Sequence, residues 1–280
     1  MIRLNGFKIN PVKFPDGTSQ VTNVENYTSF HNEIFWEFEN ESELASLLQI
    51  LDYYENSFIT HGFNAKCTLE MPFLPYGRQD KSLSENYFGL QSFMRFLGKF
   101  KCLEEIITID AHSKAGNGYY SKTFVDINPS SYIVKAIAAT SPTLYCFPDG
   151  GARDRYTKLG IFDHQPVCSF SKKRNSETGH IDSLMFNELV EVEGESILII
   201  DDICDGGMTF KLCAERLLTL GAKEVNLYTT HGIYSKGIQT LKDSGINKIF
   251  NRKGEVTELT KNDSIPKPPE GLYKSETENM

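Results

Sequence analysis

The segment Ser196-Ile197-Leu198-Ile199-Ile200-Asp201-Asp202-Ile203-Cys204-Asp205-Gly206-Gly207-Met208-Thr209-Phe210 decides how the rest of the chain is read. An apolar run leads into two adjacent carboxylates, then a glycine-rich turn. A helical periodicity follows, with Cys213, Leu217 and Leu220 on one stripe and Gly221 placed to end it. A strand, turn and helix in this order belong to a parallel α/β sheet, whose strands deliver their C-terminal residues to a ligand crevice. Glycines let backbone N–H groups close around an anion, and the following helix N-terminus favours negative charge. Asp201 and Asp202 do not suit the anion itself. They suit neighbouring ribose hydroxyls or a Mg2+ ion, both of which take oxygen partners.

The same grammar recurs along the chain. Cys67–Met71, Ile106–Ile109, Thr143–Phe147 and Val225–Thr229 read as further buried strands. Glu41–Glu55 reads as a helix with Asn40 as N-cap and Leu44, Leu47, Leu48, Leu51 and Tyr54 on one stripe. Tyr87, Leu90, Met94 and Leu97 form another stripe that stops at Gly98. Strands alternating with such helices predict parallel sheets flanked by helices in both halves. The turn Asp126-Ile127-Asn128-Pro129 is the expected boundary, giving domains 1–127 and 128–260, with a polar, proline-bearing mobile tail at 261–280.

Composition narrows the class. The 280 residues carry 29 Lys+Arg against 37 Asp+Glu, a formal charge of −8, and 40% are hydrophobic. A chain of this size buries a large core, and its 13 Tyr and 19 Phe argue against disorder. No apolar run approaches the roughly 20 residues that cross a bilayer, and Met1–Asn5 lacks a secretory pattern. The acidic balance argues against nucleic-acid binding. The six cysteines show no C-x-x-C pair and sit mostly in apolar runs, which fits reduced thiols and a cytoplasmic setting. Seven carboxylates between Glu33 and Glu55 meet no Lys or Arg, and this block is expected to be a solvated helix face and its approach.

The 196–210 segment resembles the phosphoribosyl-pyrophosphate loop of type I phosphoribosyltransferases and ribose-phosphate pyrophosphokinases. Asp201, Asp202, Asp205 and Thr209 match that pattern, whereas Gly206 replaces a Thr and Met208 a Gly. Other segments favour the pyrophosphokinases: Phe14-Pro15-Asp16-Gly17, Pro75-Tyr76-Gly77-Arg78-Gln79-Asp80-Lys81, Ile107–His112, Phe147-Pro148-Asp149-Gly150-Gly151, Ser171-Lys172-Lys173-Arg174 and Thr230-His231-Gly232. The ordered set spans residues 14–232. In its short N-terminus and its Asp-Gly-Gly loop the chain resembles the phage-type members of that family.

The resemblance implies two type I phosphoribosyltransferase-like α/β domains and transfer of a pyrophosphoryl group from MgATP to the anomeric hydroxyl of ribose 5-phosphate. It implies that Phe14, Asp16, Arg78, Gln79 and Lys81 bind ATP, although Phe14 reads almost as well as a core residue. Asp201 and Asp202 would hold the ribose hydroxyls, and Asp205, Gly206, Gly207, Met208 and Thr209 would cradle the phosphate. Lys172 and Arg174 would neutralise the transferring group, on a polar loop over Ser171–Asp182 that closes during turnover. By itself Lys-Lys-Arg reads as an ordinary basic turn. His112 and Asp149 each follow an apolar strand and could reach Mg2+, with Asp110 orienting His112; His231 keeps a structural reading. In that family the Phe14-type loop reaches a neighbouring subunit, which implies a homo-oligomer. Gly206, Met208 and Asn251-Arg252-Lys253 depart from the family pattern and motivate an alternative acceptor, ADP-ribose, in NAD salvage. A catalytically silent regulatory relative is the competing expectation from another class.

Overall fold

The computed structural model describes residues 1–80, 88–113, 118–162, 165–174, 181–186 and 190–257, and divides the chain into units Met1–Asn128 and Pro129–Met280. The expected tail, Tyr87 and Lys81 lie outside the described residues.

The first unit contains β1 (Ile2–Leu4), β2 (Phe7–Lys8), β3 (Val12–Lys13), β4 (Ser19–Gln20), β5 (His31–Trp36), α1 (Ser42–Glu55), α2 (Ser57–His61), β6 (Lys66–Glu70), α3 (Gly89–Leu97), β7 (Leu103–Ile109) and β8 (Thr123–Ile127). Its sheet runs β2-β1-β5-β6-β7-β8, with β5 to β8 parallel and β1 and β2 antiparallel. β3 and β4 form a separate hairpin. In β5 the order His-Asn-Glu-Ile-Phe-Trp buries alternate residues, so Ile34 and Trp36 enter the core. Ile50 rather than Leu48 joins the buried stripe of α1, and Leu48 stays 40% exposed. The N-cap of α1 is Glu41 rather than Asn40 and makes no side-chain cap bond; Asn40, one residue earlier, accepts from the Ser42 backbone N–H at 3.0 Å.

The acidic block is not simply a solvated face. Glu43 accepts from the Trp36 indole N–H at 3.0 Å and from the Glu39 backbone N–H at 2.9 Å. Glu55 accepts from the Cys102 backbone N–H at 2.8 Å, and Glu41 from the Tyr76 hydroxyl at 3.0 Å. These carboxylates are acceptors for donors that neighbouring elements would otherwise leave unmet.

The second unit contains α4 (Ser130–Thr140), β9 (Leu144–Phe147), α5 (Gly150–Tyr156), β10 (Val167–Arg174), β11 (Ile181–Phe186), β12 (Ser196–Cys204), α6 (Met208–Thr219), β13 (Glu224–Gly232), α7 (Gln239–Lys242), β14 (Ile246–Asn251) and β15 (Gly254–Glu255). The sheet order is β11-β10-β9-β12-β13-β14-β15, parallel from β10 through β14 and antiparallel at both ends. Alternation divides the core in two. Leu144, Cys146, Ile197, Ile199, Val225 and Leu227 pack with Phe210, Cys213, Ala214 and Leu217 of α6. Tyr145, Phe147, Leu198, Ile200 and Tyr228 pack with Ile133, Ala136, Ala152 and Tyr156 of α4 and α5. Helices thus cover both faces, as near-continuous apolar strands require.

Two local expectations change. The stretch from Ser171 begins as strand rather than loop: β10 continues to Arg174, paired with β11 through Ser171 to Met185 and Lys172 to Leu184, with a register shift at Lys173/Arg174. The central strand also outlasts its apolar run, so Asp201 and Asp202 lie inside β12, paired on one side with β13.

Candidate active site

In the second unit, β9, β12 and β13 end at the same sheet edge. Beyond Phe147, Asp149 takes extended backbone as the N-cap of α5 and accepts from the Ala152 backbone N–H at 2.9 Å. β12 presents its two aspartates to opposite sides of the sheet, as alternation demands. Asp202 is buried, and its Oδ2 lies 3.0 Å from Nη1 of Arg155 on α5. Asp201 keeps partial access to solvent. Its surroundings are nevertheless poor in water, and burial, then the neighbouring Asp202 and Asp149, push its carboxyl well above the usual carboxylate range.

Past Cys204 the chain turns through Asp205-Gly206-Gly207 into α6. Gly207 is the N-cap at φ 78°, and a Cβ there would stand 2.8 Å from Leu241 Cδ2, so both backbone and space call for glycine. The loop after β13 is stitched to this turn. Ile233 and Ser235 donate backbone N–H groups to the carbonyls of Cys204 (2.8 Å) and Asp205 (3.2 Å), and Ser235 Oγ donates to Asp205 Oδ1 at 2.7 Å. The stem of Lys236 lies over Gly206: Cδ and Cε are each 3.5 Å from where a Gly206 Cβ would be. The result is a backbone cradle at a helix N-terminus, suited to a phosphate, beside a carboxylate suited to hydroxyls or a cation.

In the first unit, Met71 and Ile109 donate to the carbonyls of Ile107 (2.9 Å) and Pro72 (3.1 Å), tying the segment after β6 to β7. The Leu74–Gln79 turn is closed by Gly77 N–H to Leu74 O (3.2 Å) and Gln79 N–H to Tyr76 O (2.8 Å). Gln79 folds against the start of α3, where a Cβ on Gly89 would fall 2.2 Å from its Oε1. Tyr76 sits at φ 63°; burial, then its bond to Glu41, pushes the hydroxyl up to about 12. Past β7, Asp110 adopts φ 50° and donates to Ile127 O at 3.0 Å, while Ala111 donates to Asp126 Oδ1 at 3.0 Å. This turn sets His112 beside the same segment: a Cβ on Gly77 would be 3.8 Å from His112 Cβ. His112 therefore stands beside the turn that carries Arg78 and Gln79, both of which are exposed.

Phe14 and Asp16 occupy the tip of the β3–β4 hairpin. Phe14 is 43% exposed, so it is not a core residue. Asp16 Oδ1 accepts from the Thr18 backbone N–H (2.9 Å) and hydroxyl (2.7 Å), which lowers its pKa, the side-chain bond contributing most. Gln49 of α1 holds the hairpin by accepting from Val21 N–H and donating to Ser19 O, both at 2.8 Å. The backbones of Lys172 and Arg174 lie in β10; their side chains are outside the described part of the molecule.

For Mg2+, the donor chemistry in the second unit fits. Asp149 follows β9 and Asp201 lies towards the end of the adjacent β12, in register with it (Ile199 to Cys146); burial contributes most to the upward push on Asp201, and the Asp149 charge adds to it. Mg2+ is commonly bound through one or two carboxylates plus substrate phosphates, which matches such a sparse set. Among the described residues no cluster of three or more His, Cys, Asp or Glu could enclose an ion alone. Sequence reasoning missed Arg155, Ser235 and Lys236; the glycines at 232 and 237 that bracket the last two were their only signal.

A phosphoribosyl transferase domain model matches residues 166–261, which include β12, the cradle and α6. The chain is 27% identical over 272 residues to the ribose-phosphate pyrophosphokinase of Thermococcus kodakarensis, covering 95% of this chain and 90% of that protein. It is 26% identical to the enzyme of the same name from Pyrococcus abyssi, covering 89% of this chain and 85% of the relative. The fold resembles the crystal structure of phosphoribosylpyrophosphate synthetase from Mycobacterium smegmatis, with a TM-score of 0.68 at 18% identity, over 87% of this chain and 79% of that one. The chain has the α/β fold of that structure, with mainly parallel sheets flanked by helices.

Proposed function

We propose that this relative of the ribose-phosphate pyrophosphokinases is a diphosphotransferase that uses MgATP and ribose 5-phosphate to make phosphoribosyl pyrophosphate and AMP. The observation that supports this most is β12 itself. Asp201 stands where that strand runs into a glycine-built anion cradle, inside the matched phosphoribosyl transferase region, in a chain similar over 95% of its length to an enzyme bearing that name.

In this reading the anomeric hydroxyl of the bound sugar attacks the β-phosphorus of ATP. The bond from that phosphorus to the α,β-bridging oxygen breaks, and AMP departs. Asp201 orients the ribose hydroxyls, while Arg155 fixes Asp202 beneath it. The 205–209 backbone and the start of α6 hold the 5-phosphate, so the nucleophile is positioned before reaction. Arg78 and Gln79 meet the triphosphate, and Phe14 and Asp16 supply the adenine-side loop, with Phe14 reaching a neighbouring copy in a homo-oligomer. Asp149 and Asp201 are the groups of the second unit that would hold Mg2+, which when bound supplies charge neutralisation for the polyphosphate; His112 is a separate candidate ligand of the first unit. Lys172 and Arg174 stabilise the transferring group. Six buried thiols fit a cytoplasmic setting, and no helix among the described residues is long and apolar enough to cross a membrane.

A second acceptor is supported by the cradle itself. Met208, at the start of α6, is 47% exposed, so the cradle opens to solvent where a phosphate carrying a further group, as in ADP-ribose, would extend. AMP release from MgATP with each acceptor tests both readings. Product formation with ribose 5-phosphate supports the first, product with ADP-ribose alone supports the second, and silence with both overturns the assignment.

A further inference from the structure

We infer that Lys236 is a binding residue for the phosphate held by the 205–209 cradle; the inference rests on that cradle reading and deepens it. Gly206 leaves one wall of the turn without a side chain, and Lys236 covers that wall. Its Cγ, Cδ and Cε lie 3.7, 3.5 and 3.5 Å from the point a Gly206 Cβ would occupy. The ammonium is one bond further, and so within about 5 Å of that point.

The position is built from the backbone outward. Ser235, the preceding residue, donates both its backbone N–H (3.2 Å) and its hydroxyl (2.7 Å) to Asp205, the first residue of the cradle. Tyr234 is buried at φ 48°, and Gly237 donates back to its carbonyl at 2.7 Å. Thr240 Oγ1 donates to the Lys236 carbonyl at 3.2 Å. A Cβ on Gly232 would fall 2.1 Å from the Tyr234 ring, so glycine there is what lets the turn fold back onto β12. Lys236 Cα is thus pinned to the cradle while the side chain is exposed. An exposed ammonium beside this glycine turn and helix N-terminus can reach a phosphate as a point charge where a side chain at 206 does not.

The test compares the full-length protein with Lys236→Ala, Lys236→Gln and Lys236→Arg. Steady-state AMP release should show KM for the phosphorylated acceptor raised roughly 10-fold or more by Ala or Gln, and only a few-fold by Arg. KM for MgATP should stay within about twofold, because the effect is confined to one substrate. Calorimetric binding of ribose 5-phosphate without ATP should weaken in parallel, with a shallower salt dependence in the Ala variant. If the unsubstituted protein is active and Lys236→Ala leaves acceptor KM and binding within twofold, the inference is wrong while the assignment stands. If the unsubstituted protein releases no AMP with any acceptor, the assignment fails, and calorimetry still decides Lys236: loss of binding in the Ala variant supports it. Unchanged binding, or no binding to the unsubstituted protein, overturns it.

Discussion

Arg155 Nη1 lies 3.0 Å from Asp202 Oδ2, and the Asp202 side chain is only 4% exposed. This pair divides the labour of two neighbouring acids. Asp202 is neutralised from the helix that Asp149 caps, so β12 can carry a second carboxylate one residue earlier without a second partner of the same kind.

Removing Arg155 should therefore strand a buried charge. Arg155→Ala is expected to destabilise the second unit by about 3 kcal/mol, read by thermal or urea unfolding. Asp201→Asn should do the reverse. The environment already disfavours the charged form of Asp201, so the neutral amide should hold or slightly raise stability while cutting turnover by about 100-fold.

Gly206 and Gly207 are adjacent but not equivalent. A Cβ at 206 meets only the Lys236 stem at ordinary contact distance, whereas at 207 it meets Leu241 at 2.8 Å on a backbone of φ 78°. Gly206→Ala should fold with stability within about 0.5 kcal/mol of the parent. Gly207→Ala should lose about 2 kcal/mol or more in denaturant titration.

Glu224 makes one limb of the acid unfolding curve. Asn226, then Ser196 and Asn247, hydrogen-bond its carboxylate and hold its pKa below the ordinary value. The unfolded chain thus takes up this proton first as pH falls. The contribution is present above the unfolded pKa of about 4.3 and is lost as pH drops through the lower folded value. Glu224→Gln should be less stable at neutral pH and show a shallower loss of stability between about pH 5 and 3.

Lys172→Ala tests the transferring-group assignment. It should lower AMP release by at least about 100-fold while nucleotide binding, measured by calorimetry, changes by only a few-fold. Equal loss of both would assign Lys172 to ground-state binding instead.

The parallel core was legible because buried strands announce themselves by continuous apolar runs. Cys67–Met71, Thr143–Phe147, Ser196–Ile200 and Val225–Thr229 all fall on or within one residue of observed strands. β5 and β8 were not legible: His31–Trp36 mixes polar and apolar types, and β8 is a largely exposed edge whose Val125 and Ile127 bury little. Asp201, Asp205 and the two glycines could be placed by spacing within one segment. Arg155 and Lys236 could not, because each acts across strands that are neighbours only after the sheet forms.

The strand order of the second unit also governs how it must fold. Thr143, just ahead of β9, donates to Ser196 O at 2.8 Å across a separation of 53 residues, with the whole β10–β11 excursion between them. In the first unit β5, β6, β7 and β8 pair in the order in which they leave the ribosome. That sheet can grow by successive short loop closures, whereas β9 has to wait for β12. During synthesis the second unit consequently spends longer with an apolar strand edge uncovered. Crowded, hot or rapid expression would first show its cost there, as aggregation from the open edge of β9 rather than as loss of the finished protein.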